Sequence, residues 1–370
     1  MNTQRIKKLL QQGSSSWIPV ASVLLAFVVS GVIIHLCGLD VISAAKNMIE
    51  GSLGSKNAIA ESLLKMGPLI FTGLAYALAA RCGLVNIGAE GQLYIGGLTA
   101  ALVGIYIPNL PAPLHQLFAV LAGFVGGGLW GFLSGWLKVR FGSSEVITTI
   151  MLNYVAQYLI NYLVSGPLEE PPGTFPQSRP IVESSQLTRF LPGTRLHIGI
   201  FIALLCLVLF YFFLWKTTHG YETRVVGANP EAASYAGMKP SSSVLLCMFL
   251  AGGCAGLAGA TDILGIQWRL MPNFSNGAGF DGIAVALLGH NTPLGIFFAA
   301  ALFGIVRSGA NLMQMLSKVP VSIVNILQAL VVLFVAASNI VFLIARRRAI
   351  ARAARRDSAP EEPNAPSEIP

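Results

Sequence analysis

Apolar stretches close to bilayer-crossing length recur along the whole chain, and that recurrence limits what it can fold into. A helix needs ~20 predominantly apolar residues to cross ~30 Å of hydrocarbon. Trp17–Cys37, Leu196–Trp215 and Val319–Ala345 meet that condition plainly, with no formal charge in the first. Further stretches are Ser62–Ala80, Gly83–Ile107, Leu114–Leu137, Glu145–Ser165, Ser241–Gly265 and Leu294–Leu316, with a shorter one at Gly279–Gly289. Composition agrees: 54% of residues are hydrophobic and 11% charged, against about 25% charged in a soluble domain. So few charges cannot clothe a water-soluble globule of 370 residues. Disordered chains, nucleic-acid-binding modules and extracellular disulfide scaffolds are excluded. Cys37, Cys82, Cys206, Cys247 and Cys254 lie in or beside apolar stretches without a CxxC pair, and read as small buried hydrophobes. The fold class is an all-α, polytopic membrane protein.

The basic residues arbitrate between nine and ten spans. Ten spans with a cytoplasmic N-terminus place Arg5, Lys7, Lys8, Arg81, Lys138, Arg140, Lys216, Arg224 and Lys239 inside. Arg346, Arg347, Arg348, Arg352, Arg355 and Arg356 join them, whereas Lys46, Lys56, Arg179, Arg189, Arg195, Arg269 and Lys318 fall outside. That excess obeys the positive-inside rule, and nine spans would expel the arginine-rich tail. The expected organisation is a cytoplasmic N-terminus (1–16), a transmembrane domain (17–345) and a cytoplasmic tail (346–370). The domain includes an external loop (166–195) and a cytoplasmic loop (216–240). The basic start leads into an apolar run too long for a signal-peptide core, so it reads as a first span. The net charge of +8 then belongs to lipid headgroups beside the last span rather than to nucleic acid. The Pro- and Glu-rich end is expected to be disordered.

No phosphate-binding loop, HExxH, GxSxG or strand-borne GxGxxG occurs, and the five histidines are scattered. No catalytic or metal-ligating set emerges, so passage of a solute is the expected role and any ATP chemistry belongs to another chain. Polar groups sit inside two glycine-rich segments. The third span begins RCGLVNIGAEGQLYIGG with Asn86, Glu90 and Gln92, and the later NGAGFDGIAVALLGHNTPLGI carries Asp281. Ionisable residues at membrane depth cost ~2.5–3.5 kcal/mol at the centre on insertion scales, so they face a cavity or a partner. Interrupted apolar segments in two corresponding halves point to a pathway built on internal repeats. Asn86, Glu90, Gln92 and Asp281 are the candidate pathway residues; for Glu90 a helix–helix hydrogen bond is the competing reading. Asp262 and Arg307 offer a buried ion pair, with a snorkelling arginine as the alternative.

The loop KTTHGYETRVVGANPEAASYAGMKP (216–240) contains a complete miniature helix signal. Asn229 is a favoured N-cap and Pro230 a favoured first residue. Glu231 complements the dipole, and Gly237 closes the helix with positive φ. A helix spanning 230–236 is too short to stand alone in water, so it packs on the membrane domain or inserts into a partner's groove with Tyr235 protruding. An ion-coupled transporter using Glu90 as a proton site is the rival class, and it has no need of such a device.

VVGANPEAASYAGM resembles the coupling-helix segment of ABC-importer permeases in the ribose and branched-chain amino acid transport superfamily. GLVNIGAEGQLYIGG resembles the signature of that superfamily's nucleoside branch, and the resemblance extends from about Leu63 to Ala345. Sister branches carry GGIDLSVG-like or NFAHG-like sequences here, so the resemblance implies a nucleoside, with a sugar or riboflavin-like solute as the alternative. It further implies a substrate-binding protein on the outer face, a second permease, expected to be a paralogue, and ATP-binding subunits holding ATP and Mg. It places the chain in a bacterial inner membrane, without a cofactor of its own. Asn229, Pro230, Glu231, Ala232, Tyr235 and Gly237 carry over as coupling residues.

Overall fold

The computed structural model describes residues 17–334, apart from 109 and 321, together with residue 337. The expected cytoplasmic N-terminus, the end of the tenth span and the basic tail lie outside the described residues. All described secondary structure is helical, apart from the isolated bridges Glu169–Ser178 and Arg189–His197. Among the described residues, five helices are long and apolar enough to cross a membrane: Lys56–Arg81, Ala112–Phe141, Gly199–Lys216, Pro240–Gln267 and Pro293–Ser317. The chain is therefore a multi-pass helical membrane protein.

Two compact units divide it. The smaller contains most of α1 (Trp17–Leu36) and α13 (Ser322–Phe334). The larger, residues 34–324, holds α2 (Val41–Leu53), α3 (Lys56–Arg81), α4 (Ala89–Tyr106), α5 (Ala112–Phe141) and α6 (Glu145–Val164). It continues with α7 (Gly199–Lys216), α8 (Thr218–Ala228), α9 (Pro230–Tyr235), α10 (Pro240–Asp262), α11 (Ala278–Leu288) and α12 (Pro293–Ser317). Within it α10 is the central helix, packed on α3, α4 and α5.

Small residues make that centre. Glycines 123, 127, 131 and 135 recur every fourth residue on α5 and share one face. Gly252 and Gly256 answer them on α10. A Cβ on Gly127 would sit 2.5 Å from the Gly252 carbonyl oxygen and 2.6 Å from Gly256 Cα. Backbones in such contact gain van der Waals packing, which must hold helices together where lipid removes the hydrophobic drive between them.

Two helices were not anticipated. α2 is amphipathic, caps itself through Asp40 Oδ1 accepting from Ile42 N–H at 3.0 Å, and packs on α12. α8 turns half of the expected loop 216–240 into helix, capped by Thr217 Oγ1 accepting from Gly220 N–H at 3.1 Å. The segment 166–198 is pinned to the end of α10 and the residues that follow it. Ser178, Ile181 and Leu187 N–H groups donate to the carbonyls of Leu270, Trp268 and Leu264 at 2.8–2.9 Å, and Arg269 pairs with Glu170 at 2.9 Å.

Candidate functional site

The third span does not start as helix at Gly83. Residues 82–88 form a non-helical step, with Gly83 at φ +77°, and α4 begins only at Ala89. Asn86 therefore lies in a break rather than in a helix. The first N–H groups of any helix lack internal acceptors, and Gly88 at the N-cap supplies no side chain. Two amides fill the need. Asn86 Oδ1 accepts from Gly88 N–H at 3.0 Å, while its Nδ2 donates to Gln92 Oε1 at 3.0 Å. Asn153, from α6, accepts Gly91 N–H at 2.8 Å and donates to Ile87 carbonyl at 2.9 Å. Asn153 escaped the sequence reading; its only signal was an amide inside an apolar span.

A second interruption mirrors the first. Residues 268–277 carry no helix, and α11 begins at Ala278 with Gly277 (φ +79°) as an N-cap without a side-chain bond. The missing cap comes from α4. Glu90 Oε2 accepts Gly279 N–H at 2.8 Å, and Oε1 accepts the Ser275 hydroxyl, whose oxygen accepts from Gly277 N–H at 3.2 Å. Glu90 is 6% exposed. A Cβ on Gly279 would strike the Glu90 backbone, so the two helix starts touch. Two N-terminal dipole ends thus converge on one acidic side chain, an arrangement that favours negative charge there.

Asp281, in the first turn of α11, is ion-paired with Arg307 of α12. Lys65 Nζ donates to the Arg307 carbonyl at 3.0 Å. Asp262 is not Arg307's partner. It accepts from Gln267 Nε2 at 2.6 Å across the π-turn Ile263–Gln267 that ends α10. The four candidates thus fall into one region at the two interruptions, with Asn86 and Gln92 occupied by each other.

The miniature helix forms where expected, as Pro230–Tyr235, with Ala236 as its C-cap. Asn229 Oδ1 accepts from Glu231 and Ala232 N–H at 2.9 and 3.1 Å. At the other end Met238 N–H donates to Ala233 carbonyl and Gly237 N–H to Ser234 carbonyl, both 3.0 Å, with Gly237 at φ +80°. That double bond pattern is a Schellman close, which needs the left-handed conformation glycine adopts freely. One face is anchored. Ala233 is fully buried in a cluster with Ala79, Cys82, Leu84, Val226, Val244, Cys247 and Met248. The other face is open, with Glu231, Ala232 and Ser234 exposed and Tyr235 95% exposed. Gly227 of α8 lies backbone to backbone against Gly83, 3.2 Å from its Cβ position. The loop thus leans directly on the break before α4.

Interrupted apolar helices meeting inside a helical membrane bundle define a permease. The family described as branched-chain amino acid transport system / permease component matches residues 58–336, and the chain belongs to it. The guanosine ABC transporter permease protein NupP of Bacillus subtilis is 39% identical, over 87% of this chain and 93% of its own length. The glucose ABC transporter permease protein TsgB13 of Haloferax volcanii is 35% identical, with 87% of each chain covered. The nucleoside ABC transporter permease protein NupB of Lactococcus lactis is 34% identical, over 88% of this chain and 91% of its own. No solved structure matches the chain.

Proposed function

We propose that the chain is the membrane permease subunit of an ABC importer for a nucleoside-like solute, driven by a separate ATP-binding subunit that docks on α9. The observation that carries this is the two-faced α9: a six-residue helix capped at both ends, glued to the bundle through Ala233, and offering Glu231, Ala232 and Tyr235 outward. An isolated helix of that length is unstable in water, so its cap residues Asn229, Pro230 and Gly237 fix a shape for something to grip. The chain itself hydrolyses nothing. ATP and Mg sit on the partner, a second and paralogous permease completes the pathway, and an extracytoplasmic binding protein delivers solute.

In this reading ten helices cross a bacterial inner membrane with both termini inside. Its support is that residues assigned to the same side bond to one another across the sequence. Asn47 bonds Ser317 at 2.7 Å, Arg195 grips Glu61 at 2.8 and 2.9 Å, and His115 meets Ser184 at 2.8 Å, all on the outer side. On the inner side Arg81 donates to Asn291 carbonyl at 2.9 Å and Lys138 pairs with Glu145 at 2.6 Å. Solute passes the junction of α4 and α11, where Asn86 and Gln92 brace the break, Glu90 ties the helix starts together, and Asp281 lies one turn on. Closure of the ATPases on α9 moves α8, and Gly227 passes that motion to Gly83 and the break. Two relatives are named for guanosine and nucleosides, which favours a nucleoside. The relative named for glucose keeps a sugar as the second reading.

The docking role is tested by Tyr235→Cys in the chain co-expressed with its ATPase subunit. A crosslink to that subunit is the expected result. Absence of a crosslink from every position between 229 and 237 contradicts it.

A further inference from the structure

The helix α12 is exposed on two opposite sides, and only one of them suits lipid. Leu294, Phe298 and Leu316 are 72%, 67% and 61% exposed. At 3.6 residues per turn, Arg307, Asn311 and Gln314 fall within about 60° of one another, roughly opposite those apolar residues. Asn311 and Gln314 are exposed and Arg307 half-buried. The same face is closed lower down, where Ile296, Ala300 and Phe303 are buried. The adjoining helix α3 repeats the pattern: Glu61, Lys65 and Pro68 are half-buried, and residues 69–75 below them are all buried. Lys65 reaches across to the Arg307 carbonyl, and Arg307 holds Asp281 at the start of α11.

Charged and amide groups on a lipid-facing side are strongly disfavoured, so partly open ones within spans face water or protein. A face that is polar and open toward one end, then apolar and shut beyond Arg307, has the form of a blind aqueous vestibule. We infer that the outer half of the α3/α11/α12 face, with Lys65, Asp281, Arg307, Asn311 and Gln314, is the outer vestibule of the translocation pathway, its floor the Asp281–Arg307 pair. The inference rests on the permease reading above and its assignment of sides. It adds residues that the glycine-rich signature does not contain. Glu61 is held by Arg195, so Lys65 and Arg307 against Asp281 leave the wall a surplus positive charge, which repels cations as arginines do in other selective pores. Lys65 commits one hydrogen bond to the Arg307 carbonyl, and an ammonium has three N–H donors. The wall therefore disfavours an organic cation and offers N–H donors to a solute rich in hydroxyl and carbonyl acceptors, the chemistry of a nucleoside or a sugar.

The test uses the full-length chain, assembled with its partners in right-side-out membrane vesicles. Asn311→Cys, Gln314→Cys and, as a lipid-facing control, Phe298→Cys are made in a Cys37→Ser parent. Each is exposed from outside to a membrane-impermeant, charged thiosulfonate. Asn311→Cys and Gln314→Cys are expected to react at least about ten-fold faster than Phe298→Cys, since only water carries the reagent to them. Rates equal to that control, or spontaneous crosslinking of position 311 or 314 to the second permease, overturn the vestibule. Lys65→Met is expected to lower uptake severalfold at equal protein level, with Lys65→Arg restoring it. Accessibility needs no substrate: rapid labelling without nucleoside uptake refutes the proposed solute and leaves the vestibule standing, whereas normal uptake with unreactive cysteines refutes the vestibule alone.

Discussion

Replacing Glu90 by glutamine, and separately by alanine, distinguishes a tie between two helix starts from a proton-carrying group. Both carboxyl oxygens are in use, one on Gly279 N–H at 2.8 Å and the other on the Ser275 hydroxyl. A glutamine keeps the shape and one acceptor, and its NH2 meets a hydroxyl that can turn and accept. What it loses is charge: a hydrogen bond to a charged group contributes ~1.5–3 kcal/mol and a neutral one ~0.5–1.5, so the substitution costs about 1–2 kcal/mol. Alanine strands the Gly279 N–H and the Ser275 hydroxyl in a buried place, at ~1–3 kcal/mol each, and leaves α11 uncapped. The expected order of stability is wild type, then Glu90→Gln, then Glu90→Ala, read as thermal unfolding of the solubilised protein. Uptake follows the same order, with Glu90→Gln retaining assembly and a measurable, reduced rate that does not depend on a proton gradient. An alanine variant as stable as wild type would refute the capping role. Complete loss of transport in a fully stable Glu90→Gln, with proton dependence in the wild type, would refute the tie as the reason this residue matters.

Gly256→Ala puts a methyl group against the Gly123 carbonyl and 3.0 Å from Gly127 Cα, and is expected to cost about 1–3 kcal/mol as overpacking. Gly67→Ala, whose Cβ meets nothing within 4 Å, is the near-neutral comparison in the same thermal assay. His197 sits ahead of α7 with its Nδ1 accepting from Gly199 N–H at 3.1 Å. Burial, and secondarily Arg189, lowers its pKa to about 4, so the folded protein resists the proton that the unfolded chain takes up near ~6.5. Its contribution is fully present above the unfolded value and is lost as pH falls from there toward about 4. Unfolding measured across that window should show a slope that His197→Gln reduces.

How far the sequence carries depends on how local each signal is. The five long apolar helices are legible because apolarity over some twenty residues is a property of a single segment. The helix α9 is legible for the same reason: Asn229, Pro230 and Gly237 act on their own neighbours, and the expected boundary 230–236 differs from the observed Pro230–Tyr235 by one residue. The helix–helix bond that the sequence offered as one reading of Glu90 is present, but its partners are not legible, because Ser275 and Gly279 lie 185 and 189 residues away and no spacing rule connects them. Arg307 had two acids to choose from, and only packing selects Asp281 over Asp262. α2 escaped because Lys46, Asn47 and Glu50 dilute its apolar face below what a span search detects. The glycine ladder of α5 was in plain view as a four-residue repeat, but its partner on α10 exists only in the fold.

The central claim is that this chain passes a nucleoside-like solute on energy supplied by a separate ATPase. The most direct measurement is uptake of a labelled nucleoside by proteoliposomes holding this permease, its paralogue, the ATP-binding subunit and the binding protein. Uptake is expected to need ATP on the side that carries the ATPase, to stop when the ATPase is omitted, and to be unaffected by a proton ionophore. Uptake by the permease alone that survives ATP depletion and collapses with the ionophore would contradict it.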